Sequence, residues 1–327
     1  MFITGLHVTG LRGAEEFEAR SLARVVDLPG GPPGVAVADA LVLFYAALDK
    51  SRTAGAMVDL GLADHEAAVA VLVEDGFPTQ ITLPMAAGVR ALLPGDGSRN
   101  MRISVEVELD PPLFGRLRGL AVRDPRLVTA LGAGARLTVK VGWLWTNDQL
   151  VASVSVLGIA VGDTAFPIVG SERPSWLSEL LVDLGSRFRR VGTDSPERTA
   201  KRLLAAMLSP DAERRRRYVT AAEVCEKPPF SLGKLELVQE GDRVDPCFGP
   251  SLLRPRQFGP AAAEALRLVE AVVVDAPDVL IVDAPGHAQR DPAQVRGWLE
   301  AFASSERATV EQVVLVPCGA VDVEPAA

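Results

Sequence analysis

Along MRISVEVELD, from Met101 to Asp110, apolar and polar residues alternate with a period of two, and ARLTVKVGWLW and QLVASVSVLGIAV repeat the pattern. Turn residues such as Thr146-Asn147-Asp148 separate these runs. Between Ile81 and Pro167 the spacing predicts an antiparallel sheet, wetted on the side where Arg102, Glu106 and Glu108 alternate with apolar residues. Upstream, Met1–Val8 and Glu15–Val26 predict a hairpin around Leu11-Arg12-Gly13, and a Gly/Pro turn then leads into a helix from about Val35 to Leu48. After Gly170 the period becomes helical. In SERPSWLSELLVDLGSRFRR, Trp176, Leu177, Leu180, Leu181, Leu184 and Phe188 fall on one face behind Pro174. Ser195-Pro196-Glu197 and Ser209-Pro210-Asp211 read as two further helix starts. The last third alternates a helix (Ala261–Ala271), a buried strand (Val279–Asp283), a helix (Pro292–Ser304) and a buried strand (Glu311–Val316), which implies a parallel α/β layer. The fold class is therefore α/β, with an antiparallel β lobe.

Composition narrows the setting. With 327 residues, 48% of them hydrophobic and 23% charged, the chain can bury a sizeable core. A net charge of -8 argues against nucleic-acid binding by the surface as a whole, though a local basic patch remains open. Cys225, Cys247 and Cys318 fit neither a disulfide framework nor a CxxC metal site, and no metal is expected. The opening MFITGLHVTGLRG does not read as a signal peptide, and no apolar run is long enough to span a bilayer. A cytoplasmic location is the expectation.

Four stretches carry candidate chemistry. PGGPPGVAVADAL, from Pro29, has the Gly-rich turn and following helix of a phosphate loop but holds no Lys, Ser or Thr. DVLIVDAP is a buried strand with Asp283 at its carboxyl end. RPRQFGPAAAEALRL places a Gly/Pro turn before an Ala-rich helix, and VVLVPCG is a second buried strand ending in a turn. Taken singly, each also fits an ordinary α/β domain. Asp283 would then cap a turn, His287 would be a surface loop residue, and Cys318 would be a small core residue.

Taken together and in this order, they make the chain resemble the ATPase heads of the SMC, RecF and wider ABC type. MFITGLHVTGLRGAEEFEA looks like the opening hairpin of such heads, with Arg12 near nucleotide. GGPPGVAVADAL sits at the Walker A loop, RQFGPAAAEALRL at the signature motif, DVLIVDAP at Walker B, GHAQRD at the D-loop and VVLVPCGAVDV at the switch strand. The resemblance covers roughly half of the chain, at both ends. It implies one head domain, with an N-terminal lobe over 1–170, a basic helical insert over 171–226 and a C-terminal α/β lobe over 227–327.

The departures from the family pattern fall on the chemical positions. Gly31 and Gly34 match the loop, but Ala36 replaces the next glycine, Val37 stands at the phosphate-gripping Lys and Ala38 at the magnesium-binding hydroxyl. Asp283 remains on the metal side of Walker B, whereas Ala284 stands at the water-activating carboxylate. Phe258-Gly259-Pro260 replaces the signature Ser-Gly-Gly, and Cys318 the switch His. Phosphoryl transfer depends on charge stabilisation and positioning of water, so these replacements imply an inactive head with no cofactor. The expected role is that of a binding or scaffolding subunit with a protein partner or a second copy of itself. The alternatives are an atypical ATP- and magnesium-using enzyme, built on Arg12 and Asp283, and an anion- or nucleic-acid-binding module. The last would use the basic run of Arg187, Arg189, Arg190, Arg198, Lys201, Arg202, Arg214, Arg215, Arg216 and Arg217, which only Asp194, Glu197, Asp211 and Glu213 oppose.

Overall fold

The alternating segments form one twisted antiparallel sheet because each buries one face. The computed structural model describes residues 1–11, 14–48, 81–84, 100–133, 136–146, 151–167, 174–191, 195–216, 218–219, 232–240, 243–249, 254–272, 276–283 and 310–316. Strands β1 (Phe2–Leu11), β2 (Ala14–Arg20), β4 (Ile81–Pro84), β5 (Asn100–Glu108), β6 (Arg136–Thr146), β7 (Val151–Val161) and β8 (Thr164–Phe166) make this sheet, in the order β2-β1-β5-β6-β7-β4 with β8 on β7. In β5, Met101, Ile103, Val105 and Val107 are buried while Arg102 and Glu108 are exposed, as the period-two pattern requires.

Four parallel strands form a second sheet in the order β3-β13-β12-β9, where β3 is Val25–Asp27, β9 Phe188–Arg190, β12 Val279–Asp283 and β13 Gln312–Val316. Val279, Leu280, Ile281 and Val282 are all buried, because a parallel sheet is covered on both faces. One face, with Val279, Ile281, Val314 and Val316, joins the core shared with helix α1 (Pro32–Leu48) and the antiparallel sheet. The other face, with Leu280, Val282 and Val313, packs on a separate cluster that includes Ala200, Leu203, Leu266 and Val269. Those residues come from α5 (Pro196–Met207) and α6 (Pro260–Glu270). Helix α1 is thus enclosed between the two sheets, and it is buried almost all round from Gly34 onward. Its one-sided partner is α4 (Leu177–Ser186), which buries Leu177, Leu180, Leu181 and Leu184. A two-stranded ribbon, β10 (Leu235–Glu240) with β11 (Arg243–Phe248), lies beside the second cluster.

Several elements differ from the sequence expectation, each for a visible reason. The stretch expected as all strand contains α2 (Pro111–Ala121) and α3 (Pro125–Ala133). Asp110 caps α2 by accepting from the Leu113 N–H at 2.7 Å, and Asp124 accepts from the Arg126 N–H at 3.1 Å at the head of α3. The second hairpin strand ends at Arg20, and Val25–Asp27 crosses to the parallel sheet instead of continuing it. Helix α1 begins at Pro32 rather than near Val35, since proline is well suited to a first helical turn. Phe188 leaves the helical stripe and begins β9, which pairs with β12. There Phe188 packs edge-on against Phe44 at 5.7 Å between ring centres. The Ser195 start holds, with its hydroxyl accepting from the Arg198 N–H at 3.3 Å. The helix expected over Pro292–Ser304 lies outside the described residues.

Candidate functional site

In an open parallel sheet, ligands bind outside the carboxyl ends of the strands. Asp27, Arg190, Asp283 and Val316 end the four strands here. The turn after β3 is short: only Leu28, Pro29, Gly30 and Gly31 separate it from α1. Gly31 takes φ of 77°, in the left-handed region that glycine tolerates. Gly34 is needed for a different reason, because a Cβ there would lie 2.0 Å from the Pro29 carbonyl oxygen. Both expected loop glycines therefore have a backbone reason to be glycine.

Val37 and Ala38, which the resemblance sets in place of the phosphate-gripping lysine and the magnesium-binding hydroxyl, lie away from the loop. Both are helical and 0% exposed, facing the core between the sheets. An anion at a helix start is held by the first free N–H groups, yet Pro32 and Pro33 have none. The Val35 N–H turns back to the Gly31 carbonyl at 3.4 Å. Within 32–35 only Gly34 keeps an N–H without that turn bond, so the helix start is a poor cradle as well as an uncharged one. The charge nearest along the helix is Asp39, and it pairs with Arg190, at the end of β9, at 2.6 Å with both side chains largely buried.

Asp283 ends β12 at the same carboxyl edge, next to Val316 of β13 in the parallel register. Gly259 lies elsewhere, at the start of α6, whose Leu266 and Val269 pack on the face of the sheet opposite α1. Phe258 beside it meets Phe248 edge-on at 5.1 Å and so works as a packing group. Arg12, Ala284, Cys318 and Arg217 lie outside the described residues.

The basic run is not one surface. Arg187 is mostly buried, and its Nη1 lies 2.9 Å from Asp110 and 2.7 Å from Asp278, with Asp183 at 3.5 Å from Nη2. Burial works against its charge, but Asp278, Asp183 and Asp110 outweigh that and raise its pKa. Burial likewise pushes the Asp110 carboxyl up. The Leu113 N–H, the Met1 ammonium and Arg187 together overcome this and hold it below the usual carboxylate range. Arg190 turns inward to Asp39, and Arg202 forms an ion pair with buried Glu270, its Nη2 donating to the carboxylate at 3.3 Å and its Nε 2.9 Å away. Arg189 sits half-buried in β9. Arg198, Lys201, Arg214, Arg215 and Arg216 are exposed, although Arg216 pairs with Glu213 at 2.7 Å and Arg215 donates to the Ser209 carbonyl at 2.6 Å.

Sequence reasoning missed the Arg187 cluster and Gln312. Gln312 is 0% exposed; its Oε1 accepts from the Ile3 N–H at 2.9 Å, and its Nε2 donates to the Ile3 and Ala23 carbonyls at 3.1 and 2.9 Å. The available signal was a polar residue heading the apolar run QVVLV. Among the described residues no group of His, Cys, Asp and Glu could hold a metal ion, and no helix is long and apolar enough to cross a membrane.

No family model matches the chain, and no curated protein does. Two solved structures are similar to it over most of its length. One is described as the recombination mediator protein RecF-ATP in the RecFOR pathway, at 11% identity and a TM-score of 0.42, covering 99% of this chain and 95% of that one. The other is described as RecF-ATPrS in the same pathway, at 10% identity and a TM-score of 0.41, covering 98% and 93%.

Proposed function

We propose that this chain is an ATPase-like head without phosphate chemistry, acting as a binding or scaffolding subunit through contacts with a protein partner or a second copy of itself. One observation carries the reading: the positions that would supply the lysine and the magnesium-binding hydroxyl are Val37 and Ala38, both fully buried in a helix that starts on two prolines. A core valine cannot neutralise a triphosphate, and a proline cannot donate to one. The order of the four motif stretches and the shared carboxyl edge of β3, β12 and β13 support the head fold. Asp283, still at its strand end, is what an atypical nucleotide site would use.

The test is thermal unfolding of the full chain with and without ATP and magnesium. Binding to the folded state alone would raise the transition by mass action. The expected result is no shift, together with an assembly larger than one chain in a solution mass measurement, or a partner that co-purifies. A magnesium-dependent shift abolished by Asp283→Asn would overturn the reading in favour of the nucleotide site. Salt-sensitive DNA binding lost on changing Arg214, Arg215 and Arg216 to Ser would overturn it in favour of the anion-binding module.

A further inference from the structure

The amino-terminal ends of the parallel strands are joined to the antiparallel layer by buried polar groups rather than by apolar contact alone. Gln312 opens β13 and holds the Ile3 N–H and carbonyl of β1, together with the Ala23 carbonyl just before β3. Arg187 lies immediately before β9, and its guanidinium bridges Asp278, immediately before β12, to Asp110, just after β5. Asp183 of α4 closes the same cluster. The side chains of Asp110, Asp183, Asp278 and Arg187 are each less than one-fifth exposed.

Separating the layers while either stays folded would take Ile3 from the buried Gln312 amide, leave two main-chain groups of Ile3 unpaired, and part Asp110 from Arg187, all at once. Unpaired buried groups are costly, and charged ones more so, so that opening is disfavoured relative to opening of both layers together. We propose that Gln312 and the Arg187 cluster form a clamp that makes the two sheets one cooperative unit, with their relative orientation fixed whatever meets the carboxyl edge.

The clamp rests on this geometry and not on the loss of phosphate chemistry. The test is native-state hydrogen exchange of the full chain under rising denaturant, comparing the wild type, Gln312→Met and Arg187→Lys. In the wild type, the slowest amides of β5 and β6 and those of β12 and β13 should exchange through the same opening. In Gln312→Met, β12 and β13 should exchange on the order of tenfold faster than β5 and β6, the factor expected from one ordinary hydrogen bond. Arg187→Lys keeps the charge but loses the fork, and should uncouple the sheets in the same direction. A wild type whose β12 and β13 open separately overturns the clamp. So does a pair of variants in which both sheets speed up equally. If Gln312→Met does not fold, the wild type and Arg187→Lys decide the matter. ATP with magnesium separates the two proposals: added protection shared by both sheets contradicts the scaffold reading and supports the clamp, whereas protection in one sheet alone overturns the clamp.

Discussion

At its amino-terminal edge the parallel sheet meets Asp110, Asp183, Arg187 and Asp278, with Gln312 beside them. At its carboxyl-terminal edge, α1 begins with Pro32, Pro33 and Gly34 and then buries Val37 and Ala38. Chemistry in an open α/β sheet belongs at the carboxyl edge, where helix starts and loops meet a ligand. Among the described residues the carboxyl edge carries Asp27, Asp283 and the Arg190–Asp39 pair, whereas the Arg187 network stands at the other edge, where it joins layers.

The largest effect should come from trying to undo that difference. Val37→Lys restores the residue type a phosphate loop uses, but at a position with no exposure between two sheets. The ammonium would be stranded in the core, so the variant should lose roughly 4 kcal/mol or more, or fail to fold, and gain no nucleotide binding. Denaturant unfolding and a nucleotide titration check both halves. At the opposite edge, Arg187→Met removes the guanidinium that Asp110, Asp183 and Asp278 share and leaves the Met1 ammonium as the cation common to Asp110 and Asp278, with half-exposed Arg116 on Asp183. Removing one partner of a buried ion network costs about 3–5 kcal/mol, and the same unfolding experiment reads it.

Gln312→Leu should cost less, about 2–3 kcal/mol, because it strands neutral groups rather than charges. Acid should act at Asp110, on the amino edge, and at Asp124, at the head of α3. The Asp110 and Asp124 carboxyls are both held below their ordinary value in the folded state. For Asp124, burial pushes up, while Arg126 and Trp176 outweigh it. A depressed folded pKa gives stability that is fully present above the unfolded value, near 3.9, and lost as pH falls through the folded one. Unfolding free energy measured from pH 5 down to pH 3 should therefore decline, and Asp110→Asn should flatten part of that slope.

Much of this was legible in the chain. The period-two runs gave the antiparallel sheet, and two short apolar strands gave the parallel layer, because burial on one face or both leaves different patterns. Helices α2 and α3 were legible too, in Asp110-Pro111 and Asp124-Pro125, but the strong alternation around them obscured those cap signals. What periodicity cannot show is pairing between distant residues. Nothing local marks Arg187 as the partner of Asp278, 91 residues away, or Gln312 as the partner of Ile3, 309 away. Nor could spacing say that Phe188–Arg190 is a strand: three residues are too few to set a period, and their register comes from β12.

The smallest effect tests how far the two edges exhaust the polar architecture. Among the ten basic residues of 187–217, Arg187, Arg190 and Arg202 point inward to acidic partners, whereas Arg214, Arg215 and Arg216 lie exposed. The exposed contacts, to Glu213 and to the Ser209 carbonyl, are the kind that solvent weakens most. Changing Arg214, Arg215 and Arg216 one at a time to Ser should shift stability by no more than about 0.5 kcal/mol each. Arg202→Ser should cost clearly more, because it takes the guanidinium away from the buried Glu270 carboxylate. Equal losses at all four positions would mean that the run acts as one structural surface, and the division between inward and outward arginines would have to be given up.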